Sequence, residues 1–208
     1  NDFNNGTTYD GAADDKKITL PLGPAYGGPL FFAHYSFMGL NPHALKDEHT
    51  NYAEQARAHT LVNRAHCVNN PHRHKGYGEN CWGLTASDDH GGYDAHSPTN
   101  DNGTITPTAA LSSFPYTPLE SMQALRHFYE EMGDKIWGKY GFVDAFNENH
   151  NWQAKSHLAI DQGPIVVMIE NHRSGLLWDI FMSCPEIKKS LQNLKLDIKN
   201  KINPPKSR

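Results

Sequence analysis

The chain has 208 residues, 38% of them apolar and 11% aromatic, with a formal net charge of −4. That is the length of one domain or a large piece of one, with enough apolar content for a packed core, which excludes a disordered chain. The charge balance leaves no basic footprint for nucleic acid, and no apolar run nears the roughly 18 residues a membrane helix needs. The 13 histidines, 4 tryptophans, 9 tyrosines and 9 phenylalanines suit a neutral, hydroxyl-rich ligand, and suit an ordinary core as well. Three cysteines, Cys67, Cys81 and Cys184, cannot all pair within one chain. A Cys67–Cys81 bridge is conceivable, as are three free thiols, so they do not settle the compartment.

Residues 1–17 read as a polar, Asn- and Gly-rich loop with no initiator Met, basic n-region or apolar h-region. The expectation is that a leader, or more than a leader, lies upstream. A turn-rich stretch follows, and then "LFFAHYSFMGL" (30–40) reads as a short buried helix closed by Gly39. From Leu45 to about Val68 a helical pattern runs without Gly or Pro, with an unusually polar face, and Asn69-Asn70-Pro71 ends it. Residues 71–106 read as one long loop, of a length that is often functional. "TPLE" (117–120) has Thr117 to cap, Pro118 at the first position and Glu120 to complete a capping box, opening a helix that runs to about Met132. A short turn or helix (134–140) and an acidic, aromatic loop (141–152) come next. Residues 161–185 have helical apolar spacing with a bend at Gly175, and Pro185 opens a last amphipathic turn ending near Leu196. Residues 197–208 form a basic tail, expected to be mobile. No βαβ alternation or phosphate-binding glycine loop is present.

Glu79, Asp88, Asp89, Asp94, Asp144, Asp161 and Glu170 are the candidate carboxylates. Glycoside hydrolysis needs two such groups across a cleft, one to protonate the leaving oxygen and one to activate water or attack carbon. Glu79 stands beside Trp82, where partial burial can raise its pKa. Asp161 stands at a helix start, where it can also be a simple cap. Tyr26, Tyr77, Trp82, Tyr93, Trp152 and Trp178 can stack on sugar rings or pack in a core, and Trp178, within an apolar helix, is better read as core. "HCVNNPHRH" offers His66, Cys67, His72 and His74, but its spacing matches no standard zinc finger, and no metal is expected. Ser87 precedes Asp88 without the strand-and-elbow context of a serine hydrolase. Sequons at Asn5 and Asn102 matter only in a glycosylating secretory pathway.

Four strings, "LPLGPAYGGPLFFAHYSFMGL", "ENCWGLTASDD", "DNGTITPTAALSSFPYTPLESMQALRHFYEEMGDKIWGKYGFVDAFN" and "IDQGPIVVMIENHRSGLLWDIFM", resemble the glycoamylase-like family of bacterial glycoside hydrolases. The resemblance spans residues 18 to about 195. It implies an all-α (α/α)6 toroid, β-1,2-glucan as first substrate, other β-glucans next, no cofactor, and a periplasmic or secreted location. Twelve helices need roughly 350–400 residues, so residues 18–196 are expected to be the C-terminal half of the toroid. The partner covering its inner face would be the N-terminal half of the same protein or a second copy of the chain. Glu79 and Asp161 are the expected catalytic pair. Tyr26, His34, Tyr77, Trp82, Asp88, Asp89, Tyr93, Asp144, Trp152 and Gln162 are the expected sugar contacts. A non-hydrolytic carbohydrate-binding domain, or a half lacking its catalytic acid, is the alternative.

Overall fold

The longest helix, α1 (Tyr52–Asn69), explains the polar face that its sequence carries. Asn51 caps it by accepting from the Ala53 and Glu54 amides, and Asn70 closes it in the left-handed conformation. It starts seven residues later than expected, because Leu45–Lys46 is extended (β3). His59, Thr60, Asn63 and His66 are buried on its inner face, and each has a partner there. His59 Nε2 meets the Gly28 carbonyl at 3.0 Å, and the Thr60 hydroxyl donates to the Ala56 carbonyl at 2.9 Å. Asn63 clamps Leu84 at both ends: its Nδ2 donates to the Leu84 carbonyl and its Oδ1 accepts from the Leu84 amide, each at 2.9 Å. The helix therefore uses its polar stripe to satisfy irregular backbone that would otherwise be buried unpaired. Gly27, at φ +88°, lies so close to the His59 ring that a Cβ there would fall 2.1 Å from Cδ2. Only glycine fits that approach.

The computed structural model describes residues 6–10, 17–194 and 196–198. Residues 1–5, most of the loop expected at the N-terminus and nearly all of the basic tail lie outside the described residues. Within the expected N-terminal loop, β1 (Thr7–Tyr9) pairs antiparallel with β2 (Ile18–Leu20) and buries Tyr9 against Leu20 and Val62. At the other end β10 (Asp197–Ile198) pairs with β3.

The main core gathers around Trp82, Leu84, Ile105, Leu111, Phe128, Ile136 and Met168, all nearly or wholly inaccessible. Residues 30–40 are not the single helix expected. They form two 3-10 turns, Leu30–Ala33 and Tyr35–Met38, with His34 between them. The long loop 71–106 holds a hairpin, β4 (Ala86–Asp89) with β5 (Gly92–Ala95). After it come α2 (Pro107–Leu111) and α3 (Pro118–Arg126), which continues as a π turn to Glu131. Thr117 does not cap α3. Its hydroxyl turns inward to the Ser113 carbonyl and Ser121 instead.

A short α4 (Gly133–Ile136) leads into the ribbons β6 (Trp137–Gly138) with β7 (Gly141–Phe142), and β8 (Phe146–Asn147) with β9 (Trp152–Gln153). Helices α5 (Ala159–Ser174), α6 (Leu176–Ser183) and α7 (Pro185–Asn193) complete the order, with Gly175 left-handed at the α5–α6 bend. The chain is thus helical with several two-stranded ribbons, which corrects the all-α expectation. The ribbons are short and irregular, and their sequences lack the apolar alternation that marks strands. Asn171 on α5 ties the elements together: its amide donates to the Met38 carbonyl, and its Oδ1 accepts from the Leu177 and Trp178 amides. Cys67, Cys81 and Cys184 are free thiols.

Replacing Asn63 by Ala strips the Leu84 amide of its partner, while the Leu84 carbonyl keeps the Leu30 amide at 3.1 Å. One buried unsatisfied group costs about 1–3 kcal/mol, so Asn63→Ala is expected to lower unfolding free energy by about 1–3 kcal/mol, measured by urea titration.

Candidate active site

Three aspartates from three separate segments meet on one side of the core. Asp88 lies on β4, where the Asp89-His90-Gly91-Gly92 turn reverses the chain. In that turn Asp89 Oδ1 accepts from the Gly91 amide at 3.0 Å, an Asx turn. Asp144 lies between β7 and β8, its amide donating to the Ser156 carbonyl at 3.1 Å. Asp161 lies in the first turn of α5 and does not cap it. Its carbonyl accepts from the Thr108 hydroxyl at 2.7 Å, which anchors the helix start to α2.

The groups are wired to each other. The Asp88 amide donates to Asp144 Oδ2 at 2.7 Å, and the Ser156 hydroxyl donates to Asp88 Oδ2. Asp144 and Asp161 are 1% and 2% exposed, low enough that water screens neither. Burial, then the Asp144 charge and a hydrogen bond to it, then Asp88, push Asp161 up to about 8. Burial raises Asp144 as well, against the pull of the Asp88 amide and of Asp161 as donor. Asp161 is therefore the member of the pair that keeps its proton near neutral pH. A helix N-terminus favours a charged carboxylate, but desolvation and two like charges outweigh it here.

Two tyrosines face this group. Tyr35 is raised to about 12 by burial, then by Asp161, Tyr93 and Asp144. Tyr93 sits opposite Asp88 in the hairpin register and is raised by burial and by the same three aspartates. Both phenols stay protonated and can donate to a ligand. Tyr93 is 57% exposed, so its ring is available for stacking. His157 acts on Asp144 and is oriented by its Nδ1, 2.9 Å from the Phe142 carbonyl. Gln162 follows Asp161, with its Oε1 beside Gly141. Tyr35, Ser156 and His157 were not singled out in the sequence. Each is a lone polar residue in an irregular stretch, with no spacing that marks it.

The other sequence candidates lie elsewhere. Glu79 is exposed, and its backbone carbonyl accepts from Arg64. The partial burial expected from Trp82 does not occur, because Trp82 is wholly buried in the core, where it cannot serve as a sugar platform. His34 is a core histidine: burial, then His59, lowers it to about 3, and its Nε2 meets Ser113 Oγ at 2.9 Å. Tyr26 packs edge-on against Tyr9 in the small cluster beside β1 and β2. Tyr77 donates to Asp101 Oδ1 at 2.7 Å. Trp152 lies on β9, packed against the core. Asp89 pairs with His90, His96 and Asn102. Burial raises it, but these partners and the Gly91 amide bring it below the usual carboxylate range. Asp94 bonds Asn100 and the Ala95 amide, and Glu170 is gripped by Arg173 and Ser174. Trp178 is core, its indole donating to the Phe37 carbonyl at 2.6 Å. A cavity of about 200 Å³ lies among His43, Pro115, Asn171, His172 and Trp178. It shares no residue with the aspartate cluster.

A buried carboxyl pair whose surroundings keep one member protonated, flanked by tyrosines, is equipment for acid–base chemistry. Residues 7–185 match the family described as "Putative glucoamylase", and the chain belongs to that glycoamylase-like family. A curated relative, the exo β-1,2-glucooligosaccharide sophorohydrolase (non-reducing end) of Parabacteroides distasonis, is 47% identical over 195 residues, 93% of this chain and 26% of the relative. The crystal structure of a putative glucoamylase from Bacteroides uniformis is 60% identical with a TM-score of 0.89, over 94% of this chain and 47% of that one. The endo-β-1,2-glucanase of Chitinophaga pinensis, in complex with sophorotriose and glucose, is 51% identical with a TM-score of 0.87, over 95% and 47%. The chain thus spans about a quarter to a half of these relatives' lengths.

The raised Asp161 makes the folded chain hold a proton that the unfolded chain releases. Its contribution to stability is present below the ordinary aspartate value near 3.8 and is lost as pH rises towards about 8. Asp161→Asn keeps the shape without the charge. The variant is expected to gain stability over the native chain as pH rises from about 5 to about 8, read by urea unfolding at both ends.

Proposed function

We propose that the chain is the part of a β-1,2-glucan hydrolase that carries the proton donor, and that Asp161 is that donor. The observation that carries the reading is the buried meeting of Asp161 with Asp144 and Asp88, which pushes Asp161 up and leaves it protonated where a leaving glycosidic oxygen needs a proton. The Asp144 charge beside it keeps the acid protonated until the leaving oxygen takes the proton. Asp88, held by Ser156, adds the negative charge that keeps the proton in place. Tyr93 offers a stacking face, and Tyr35 and Gln162 offer polar contacts to sugar hydroxyls. Glu79 has no part in the proton transfer. The named activities of the Parabacteroides and Chitinophaga relatives support β-1,2-linked glucose as the substrate.

Asp144 is assigned to holding the proton on Asp161, since the two bear on one another's protonation. The second catalytic carboxylate is then a further group, because the two carboxyls of a glycosidase flank the scissile bond about 5–9.5 Å apart. The opposed group is assigned to the remainder of the protein, the other half of an (α/α)6 toroid in a periplasmic or secreted enzyme. Exposed Leu119 and Met122 on α3, Ile160 and Val166 on α5, and Ile180 and Phe181 on α6 give that half apolar surface to cover.

The test is product analysis on β-1,2-glucan beside β-1,3-, β-1,4- and α-1,4-glucans, with this chain alone and joined to the remainder of its protein. The joined protein is expected to release sophoro-oligosaccharides from β-1,2-glucan alone. Asp161→Asn in it is expected to lower kcat by about 10²–10⁴, with intact binding of the glucan. Release from starch instead, or an unchanged kcat, overturns the reading.

A further inference from the structure

A second constellation lies outside the aspartate cluster. His66 in the last turn of α1, His72 in the turn after it and Asp101 before α2 each offer a ligand atom, and these atoms lie within 4.8 Å of one another. The first two belong to the "HCVNNPHRH" stretch. Cys67 is buried but is not part of the group. The carboxylate of Asp101, on a different segment, takes the place a thiolate would have had.

The carboxylate is oriented as a ligand is. Its Oδ1 accepts from the Tyr77 hydroxyl at 2.7 Å and from the Gly103 amide at 3.0 Å, which fixes the group and leaves Oδ2 turned to His66 Nε2 at 2.8 Å. Outer partners of this kind hold metal-binding carboxylates in place. The side chains of His66 and Asp101 are 5% and 1% exposed, whereas His72 is on the surface. The group is therefore dry behind and open in front. A third imidazole stands beside it. His74 Nε2 is buried, 3.5 Å from Asp101 Oδ1, and has no hydrogen-bond partner. Its ring is held from the other side by Asn149, 2.9 Å from Nδ1. A buried ring nitrogen without a partner calls for an explanation, and its place 3.5 Å from Asp101 Oδ1 brings a third imidazole to the same group.

We propose that His66, His72 and Asp101 form a binding site for one divalent transition-metal ion of the zinc type, with the fourth position open to water. Two imidazoles and one carboxylate suit zinc and its neighbours rather than magnesium or calcium, which prefer all-oxygen sets. Zinc ligands at about 2.0–2.1 Å stand roughly 3.3 Å from one another in a tetrahedron. His66 Nε2 and Asp101 Oδ2, 2.8 Å apart, need to part by about half an ångström, and the group's widest spacing, within 4.8 Å, to close by up to about 1.5 Å, which the exposed His72 side chain can do by rotating. The ion joins the end of α1, the turn after it and the 97–106 segment. Asn102, next to Asp101, donates to Asp89, the neighbour of Asp88, so the staple braces the hairpin that carries one of the three aspartates. The role is structural, and the site stands whether or not the chain cleaves glucan.

The test is equilibrium dialysis of the 208-residue chain against zinc chloride, with metal counted by mass spectrometry, beside thermal unfolding with zinc or magnesium. One zinc per chain and a higher unfolding midpoint with zinc but not magnesium are expected. His72→Ala removes an exposed ligand, so its metal-free midpoint should match the native one while its zinc affinity falls at least tenfold. Asp101→Asn should lose binding too, and cobalt substituted for zinc should give a visible absorption band that His72→Ala abolishes. Less than one zinc per chain overturns the proposal. So does undiminished binding by His72→Ala, which would place the metal on other histidines.

Discussion

Two carboxyl groups cannot sit side by side in a dry site unless one of them keeps its proton. Asp144 and Asp161 are under that constraint, and the surrounding structure is arranged to maintain it. Thr108 pins the first turn of α5, the Ser156 carbonyl holds the Asp144 amide, and the Asp88 amide meets Asp144 Oδ2. Each contact goes to a backbone group or uses one as donor, so the positions of the two carboxyls follow the course of the chain rather than flexible side chains. This is why three short, irregular segments can hold a charge arrangement that costs energy to bury. The site is paid for by the core behind it, where Met168 on α5 packs with Leu111 on α2 and Phe146 on β8.

The same principle governs α1. A helix with His59, Asn63 and His66 on its inner face would be a poor core element beside apolar side chains alone. Here it lies against loops whose carbonyls and amides need partners, and Asn63 meets both groups of Leu84. Long loops can be buried in this protein because helices supply their hydrogen bonds. Trp82 and Leu84, flanking that clamp, are then free to enter the core.

Much of the fold was legible in the sequence where periodicity was strong. The helix at 52–69 is closed by Asn70, that at 159–174 by Gly175, and that at 185–193 opens on Pro185. The hairpin at 86–95 was not legible, because β4 and β5 line the aspartate cluster and alternate no apolar residues. The capping box at Thr117 failed because a buried hydroxyl found closer partners in Ser113 and Ser121. In the site, Asp88, Asp144 and Asp161 were all named, yet which of them stand together is a long-range property: Asp88 and Asp144 are 56 positions apart. Glu79 drew attention through its neighbour Trp82. Adjacent side chains in a loop need not share an environment, and these two face opposite ways, one to solvent and one to the core. His34 was read as a sugar contact from the same family string that contains Tyr35, and the 3-10 geometry turned the first inward and left the second half-buried by the aspartates.

Under the proposed function the aspartate cluster supplies the acid alone. A protonated Asp161 is the neutral donor, and the negative Asp144 and Asp88 beside it hold its proton. Chemistry at an anomeric carbon needs a second carboxylate on the far side of that carbon, and the sugar must lie between. In the proposed reading the aspartate cluster is one wall of a cleft, with Tyr93, 57% exposed, standing out from it. Helices α3, α5 and α6 leave large apolar side chains uncovered, as a packed protein does where another surface is to be laid. Relatives of about twice this length or more share the fold of this portion. In the proposed reading, an acid on one wall, an uncovered apolar surface and the need for an opposed carboxylate have one physical resolution, a second wall from outside these residues.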